Sequence, residues 1–579
     1  MKYVTVFLLV ALACAGIGWA AFQAAVPPEP PISKYVPAGA LLYLEGKNLS
    51  GLLADWNKSA QKQQWVTSDN YEIFSRSRLF LRLKGAGDQF AAAAGLPPDM
   101  DLLSQVAGSR SVLALYDIGK LQFLYITRLP TANAMQTVLW QTRAKFETRS
   151  AGGVNFYLRR DPGSEREVAF AISGDYLLLA TREDLLAGAL QLMAGSKDRT
   201  VEQEPWWLES VAAAGPAGDL RMVLDLDKLV PSPHFRTYWV QQNITDLKPY
   251  SAGISDLYRS SQQYREERVL LKRTPPTEAS VAPPARGLVT PAPSAGGAEA
   301  TGDLIRLVPD GAGIYEAKAS PSADSCLSLL ETKLLAPHLG PVPPSQITPA
   351  VQLSSGETGA ASDLETRIDR PPVQRSTIPQ SVSALKEVLD KTPILSSLQV
   401  QSTERDKAGV FVRIHSAVAL VAASDWDKPG IESALVDFVR PDLTASQLGV
   451  AWHPKGNHDE LDGLWPLATV VRGKYLLVAD DPGMIEAMLS NFGRKVELPP
   501  TTFVAGFNHE RERANFAHLS GVIDWPGRSI DSSAERQPQF FSGNVGSLSS
   551  TLAAVSAANI TVRADGAKVL QTVTYQWTQ

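Results

Sequence analysis

Apolar positions follow two rhythms along the 579-residue chain. Short alternating or continuous apolar runs bounded by Gly, Pro and Asp predict strands, and stripes at three- and four-residue spacing predict helices facing a core. The clearest combination runs from Val168 to Gly195. Val168 to Ser173 and Tyr176 to Ala180 read as a hairpin turning at Ser173-Gly174-Asp175. Thr181, with Asp184 three residues on, reads as a capping-box-like helix start, and Gly195 occupies the C-terminal capping position. Leu185, Leu186, Ala189, Leu190 and Met193 make one apolar face between them. The same grammar returns from Trp465 to Gly493: turn at Arg472-Gly473-Lys474, helix start at Asp481-Pro482, stripe at Met484, Ile485, Met488, Leu489 and Phe492. Each stripe residue is displaced by 299 positions (484 − 185).

A second match lies upstream. Val36-Pro37-Ala38-Gly39-Ala40 and Tyr43 correspond to Val308-Pro309-Asp310-Gly311-Ala312 and Tyr315, at an offset of 272 (308 − 36). Two matches in the same order point to an internal duplication. The offsets differ by 27 (299 − 272), so the second copy carries extra residues between them.

Other elements fall into the same frame. Leu49, Leu52, Leu53 and Trp56 predict an amphipathic helix, and Ser68 caps a longer helical stretch ending near Gly95. Ser111 to Asp117 and Leu121 to Arg128 predict adjacent strands, followed by a helix bearing Met135, Val138, Leu139 and Thr142. The second copy answers with strands at Val410 to His415 and Ala417 to Ala422 and a helix bearing Ile431, Ala434, Leu435 and Phe438. Leu220 to Leu226, Arg265 to Lys272, and a hairpin of Ala557 to Arg563 and Lys568 to Trp577 complete the strands.

The expected class is α+β: two tandem diverged copies of a mixed, mainly antiparallel sheet domain with packed helices, after one N-terminal apolar helix. The expected segments are 1–26, a signal anchor or signal peptide; 27–33, a Pro-rich spacer; 34–273, the first domain; 274–303, a disordered Pro/Ala-rich linker; and 304–579, the second domain with a Pro-rich insertion at about 336–380.

Tyr3 to Val26 contains no charged residue and is long enough to span a bilayer. It reads as a single-pass anchor; the competing reading is a cleaved signal peptide, which would leave the protein secreted. A lipoprotein reading at Cys14 departs from the usual order of residues before the modified Cys. Lys2 precedes the segment and Glu29 follows it, which places the bulk of the chain outside the cytoplasm, in the periplasm or beyond.

Composition narrows the function. The net charge is −5 and the pI about 5.9, against the basic surplus of a nucleic-acid binder. Cys14 and Cys326 are the two cysteines, so the main body forms no intrachain disulfide. No His-Glu-x-x-His, phosphate-binding Gly-x-x-x-x-Gly-Lys, Gly-x-Ser-x-Gly or Cys-x-x-Cys motif is present. Four local features invite a functional reading. His453, His458, Asp459, Glu460 and Asp462 could ligate zinc or calcium but match no established spacing, and a hydrophilic loop is the plainer reading; His509, Glu510 and Glu512 are a weaker version. Arg76, Arg78, Arg82 and Lys84 could meet phosphate or an acidic polymer, against a solvated helix face. Trp206-Trp207 could anchor a partner or stack on a sugar, against half core and half edge. Cys326, among Leu327, Leu329 and Leu330, reads as a buried inert thiol. No catalytic, cofactor-binding or metal residue is assigned.

The Val-Pro-x-Gly-Ala-x-x-Tyr opening near Val36, the Gly-x-Tyr-Leu-Leu-x-Ala hairpin before a capped helix and the single apolar N-terminal segment together resemble a bacterial family of exported, membrane-anchored proteins classed only as a domain of unknown function. The resemblance covers most of the chain, twice. It implies export and duplication and supplies no catalytic residues. The expected role is a membrane-tethered extracytoplasmic binding or structural protein of the bacterial envelope, whose partner is an envelope protein or a cell-surface polymer. A metal- or nucleophile-dependent envelope hydrolase and an extracytoplasmic chaperone or ligand carrier are the alternatives.

Overall fold

The computed structural model describes residues 30–233, 247–273, 295–335, 380–409, 412–443, 451–461, 467–523 and 554–577. The apolar segment from Tyr3 to Val26, residues 27–29 of the Pro-rich spacer, the linker up to 294 and the insertion from 336 to 379 lie outside them. Among the described residues no helix is long and apolar enough to cross a membrane.

The chain is α+β, and its strands form antiparallel ladders. It divides into two compact units, one of residues 1–45 and 88–208, the other of 46–87 and 209–579. Strand β1 (Leu42–Lys47) carries the division. The first unit contains β2 (Arg110–Asp117), β3 (Gln122–Arg128), β4 (Glu147–Ala151), β5 (Val154–Arg160), β6 (Glu167–Ser173) and β7 (Tyr176–Ala180). They pair in the order β2-β3-β7-β6-β5-β4.

The second unit contains β8 (Leu220–Asp225), β9 (Tyr250–Arg259), β10 (Gln263–Lys272), β11 (Ile314–Ala319), β12 (Ile394–Arg405), β13 (Val412–Ala422) and β14 (Trp452–Lys455). It continues with β15 (His458–Leu461), β16 (Leu467–Arg472), β17 (Tyr475–Ala479), β18 (Phe503–Asn508), β19 (Val555–Asp565) and β20 (Lys568–Trp577). Its segment β12-β13-β17-β16-β15-β14 repeats the order of the first unit. On the other side of β12 lie β11, β18, β19, β20, β10, β9 and β8 in succession.

The duplicated hairpin keeps its register in both copies. Ala169 faces Ala180 and Ala468 faces Ala479, both at the offset of 299 (468 − 169 and 479 − 180). Gly174 and Gly473 take the turn at φ 55 and 57, a left-handed conformation that costs Gly nothing and most residues about 1 kcal/mol or more. β17 and the Ala417–Ala422 half of β13 read as continuous apolar runs because both their faces are covered. Val418, Leu420, Leu476 and Val478 pack with the helix Lys428–Leu443, while Ala419, Val421, Leu477 and Ala479 pack with Met484, Ile485 and Met488 of the helix Pro482–Ser490. Burial of such a side chain stabilises the fold by about 1.5 to 3 kcal/mol, which makes this three-residue stripe decisive for a nine-residue helix.

Several expectations are corrected. Thr181 does not cap its helix; the helix is Glu183–Met193 with Arg182 at the N-cap, and Thr181 Oγ1 instead accepts a bond from Phe123 N on β3 at 2.9 Å. Gly195 has the expected left-handed φ of 94, whereas Gly493 closes a 3-10 turn and Asn491 holds the C-cap. Of the residues expected as two strands, Val410 to His415 and Ala417 to Ala422, the first two lie outside the described residues and the rest belong to the one strand β13; its partner is β12, whose polar positions Ser397, Gln399 and Gln401 hid its alternation. The helical stretch before Gly95 breaks at Ser77, whose hydroxyl accepts from Phe80 N at 3.2 Å and starts a new helix, Arg78–Ala94.

The linker expected to be disordered from 274 to 303 is helical at its end, in Ala295–Ile305. Its Ala and Gly residues looked too small to bury much surface, but small side chains let the helix settle close against β11 and β12. Ala298, Ala300, Thr301 and Leu304 are buried, and Thr301 Oγ1 lies 3.1 Å from Ser396 Oγ. The compact units also follow a different line from the repeat. β8, β9 and β10 come from the first copy yet lie in the second unit, because β10 pairs antiparallel with β20, from Gln263 opposite Gln576 to Leu271 opposite Lys568.

Candidate functional site

Most of the side chains singled out in the sequence are engaged structurally. Arg76 pairs with Glu72 one helical turn away on an exposed surface. Trp206 is buried, and Trp207 sets its ring edge-on to Tyr43 with centroids 6.1 Å apart. Cys326 is fully buried, and burial pushes its thiol up to about 12, which leaves it protonated and unreactive.

The stretch expected as a hydrophilic loop around His453 is a β-hairpin turning at Gly456, with His453 opposite Glu460 and His458 opposite Lys455. His458 is buried, its Nε2 3.0 Å from Glu460, and Glu460 also takes Lys455 at 2.5 Å. Asp459 accepts from Lys428 at 2.7 Å, and Asp462 lies outside the described residues. Among the described residues no group of three or more His, Cys, Asp and Glu side chains is disposed to hold a metal ion. His509 lies edge-on to Phe507, and burial, aided by Arg513, lowers its pKa. Its neighbour Glu512 is fully buried, accepting from Thr403 N and Thr403 Oγ1.

The geometry that does converge lies in the second unit, where the opening turn of the second copy meets the start of the helix Pro482–Ser490. A cleft of about 400 Å³ there is lined by Asp310, Ser402, Glu404, His415, Asp481 and Arg511, with Pro309, Gly311, the helix residues Met484, Ala487 and Ser490 and the C-cap Asn491. His415 sits opposite Ser402 across β12 and β13. Its Nε2 is 3.6 Å from Glu404 Oε2 and its Nδ1 3.9 Å from Asp480 Oδ1, so the ring stands between two carboxylates. Asp481 caps the helix by accepting from Gly483 N at 3.2 Å. Asp310 pairs with Arg494 at 2.7 Å and Arg511 with Glu512 at 3.2 Å.

This arrangement is specific to the second copy although its backbone is not. Asp480 N donates to Ser416 O at 3.1 Å and Asp480 Oδ1 accepts from Ser416 N at 2.8 Å. In the first copy Thr181 N donates to Phe123 O at 3.1 Å and Thr181 Oγ1 accepts from Phe123 N at 2.9 Å. The equivalence fixes the exchange of side chains. Thr181 becomes Asp480, Arg182 becomes Asp481, Phe123 becomes Ser416 and Gln122 becomes His415. Arg182 in the first copy bonds Asp184 and Gln122, so a closed neutralised cluster there becomes an open acidic one in the second copy. Gly188 also brings its helix close to Pro37, 3.2 Å from where a Cβ would stand, whereas Ala487 at the equivalent position lines the cleft beside Pro309. The sequence match of the two hairpin–helix segments already replaces Asp175, Arg182 and Glu183 by Lys474, Asp481 and Pro482. The paired signal, Asp480-Asp481 after an apolar strand where the first copy has Thr181-Arg182, was readable in the same alignment, but His415, embedded in a strand, was not.

Burial raises the Asp480 carboxyl to about 6 from the ordinary 3.8, more than its bond from Ser416 N and the nearby His415 lower it. An acid that holds its proton more tightly when folded loses stability as pH rises from 3.8 to about 6, and the loss is complete above that. Asp480→Asn removes the charge and keeps an acceptor for Ser416 N. We expect it to exceed the parent in stability by about 1 to 2 kcal/mol near pH 8, with the difference vanishing near pH 3.5. Urea unfolding at the two pH values checks this; an equal difference at both would show that Asp480 ionises without penalty.

No protein-family model matches the chain, and no curated protein is similar to it. Similar solved structures include three crystal forms of TP0453. Form I aligns at 12% identity and TM-score 0.23 over 43% of this chain and 82% of that one. Form III gives 11% and 0.23 over 44% and 84%, and form IV 13% and 0.22 over 43% and 83%.

Proposed function

We propose that the chain is a membrane-tethered extracytoplasmic binding protein of a bacterial envelope, and that its second copy takes a cationic group of its partner in the cleft at Glu404, His415 and Asp481. The observation that carries this reading is the copy-specific exchange at equivalent backbone positions: a scaffold retained twice has opened and acquired carboxylates in one copy. The uncharged stretch from Tyr3 to Val26 supports the tether, and the charges flanking it support export.

Placing a photo-crosslinking amino acid at Ser490, on the cleft wall, tests this in intact cells. Glu404→Gln and Asp481→Asn remove charge without removing bulk, and Asn caps a helix as well as Asp does. We expect a discrete crosslinked partner whose yield falls several-fold in the double variant. Unchanged crosslinking in that variant would sink the assignment of this cleft. An envelope hydrolase is the second reading, favoured by Ser402 lying opposite a histidine that stands between two carboxylates. Both His415 contacts exceed hydrogen-bond length, so the relay that would activate Ser402 is not assembled. Substrate turnover by the full-length protein that is abolished in Ser402→Ala would establish the hydrolase instead.

A further inference from the structure

A second cavity of the same unit opens beside the turn between β9 and β10. It encloses about 450 Å³ and is lined by Ser260, Gln262, Gln263, Ser556, Gln576 and Trp577. None of these side chains is ionisable. Ser260 is committed to the turn, its Oγ accepting from Gln262 N at 3.3 Å and Gln263 N at 3.1 Å. The carboxamides of Gln262, Gln263 and Gln576 are exposed and have no partner among the described residues. Trp577 is half-buried and firmly oriented: its ring meets Tyr264 edge-on at 5.0 Å, and the Arg259 guanidinium lies over Tyr264 at 5.7 Å. The Trp577 indole nitrogen is buried without a partner among the described residues, a donor that the protein itself leaves unpaired.

We propose that this cavity is a binding site for a neutral saccharide. Each carboxamide offers a donor and an acceptor side by side, the combination that pairs with adjacent hydroxyls, and the firmly held indole of Trp577 puts an aromatic ring in the wall for the C–H groups of a pyranose to pack against. The lack of charge in the lining gives a uronate, a phosphate or an amine nothing to pair with. A peptide fits less well. Extended peptides add to open strand edges, and here β9 lies between β8 and β10, β10 between β9 and β20, β20 between β10 and β19, and β19 between β18 and β20. The inference rests on the reading of the chain as an envelope binding protein, and names the class of cell-surface polymer it would meet.

The test titrates the full-length protein with cellohexaose and fully N-acetylated chitohexaose, followed by calorimetry and tryptophan emission. At least one is expected to bind with a Kd of about 10 to 1,000 μM. Gln263→Ala and Gln576→Ala, both exposed and harmless to folding, are expected to weaken binding about 3- to 10-fold each. Trp577→Ala is expected to weaken it about 10-fold or more, and Trp577→Phe, which keeps a smaller ring, by an intermediate factor. Failure of both sugars to bind at about 10 mM, or binding indifferent to Gln263 and Gln576, overturns the proposal. So does an unstructured peptide that binds with the same mutational sensitivity. Crosslinking at Ser490 that stays dependent on Asp481 while both sugars fail would overturn this site and leave the acidic cleft standing.

Discussion

Glu512→Ala will destabilise the second unit by about 3 to 4 kcal/mol, while Glu512→Gln will cost only about 1 kcal/mol. The carboxylate is fully buried, takes the Thr403 N–H and hydroxyl, and pairs with Arg511 at 3.2 Å. Asn515 Nδ2 donates to the same Thr403 hydroxyl at 2.8 Å, so the proton of that hydroxyl is directed at Glu512. The space is made by Gly313, where a Cβ would stand 1.9 Å from Glu512 Oε1. Truncation removes two acceptors at once, strands two donors in a dry pocket and frees Arg511, a wall of the acidic cleft. Gln keeps one acceptor and the shape. Urea unfolding of the two variants beside the parent decides the matter. If alanine came within about 1 kcal/mol of the parent, the buried carboxylate would be incidental.

Gly108→Ala is the second large effect, expected at about 3 kcal/mol in the first unit. Gly108 is buried against β3, and a Cβ there would stand 2.0 Å from the main-chain oxygen of Arg128 and 2.5 Å from Thr127 Oγ1. A side chain can rotate away, but a ladder carbonyl that already accepts from Ser109 N at 3.1 Å can move only by opening the strand. The double variant Gly108→Ala, Thr127→Ala therefore should not recover. Hydrogen exchange localised to β2 and β3 would read the damage, and recovery in the double variant would assign the clash to the hydroxyl alone.

Both copies were legible in the chain wherever local chemistry and burial agree. The hairpins at Gly174 and Gly473, the stripes at Leu185 and Met484 and the terminal hairpin at Gly566 stand where turn chemistry and apolar spacing put them. What escaped depends on tertiary neighbours. β12 carries polar residues between buried Leu398 and Val400 because neighbouring strands, not its composition, hold it. Ala295–Ile305 is helical because small residues permit a close approach, a fact about the surface beneath it. The acidic cleft gathers residues from Asp310 to Arg511, and no local pattern announces that Glu404, His415 and Asp481 share a space. The comparison of copies came nearest, since it separated scaffold from the positions free to change.

The pairing of β10 with β20 also has a meaning in time. Arg268 and its partner Gln571 stand 303 positions apart, so after β9 and β10 have formed their hairpin, the outer flank of β10 stays bare while the whole second copy is made. A bare flank is a template for the wrong strand, including the same strand of a neighbouring chain. The charges along β10, Arg265, Glu266, Glu267 and Arg268, make a stranger costly during that interval, while the true partner meets them with Thr574, Val573, Thr572 and Gln571. The seam that joins the copies is thus also their longest wait, and its polarity guards the chain while it waits.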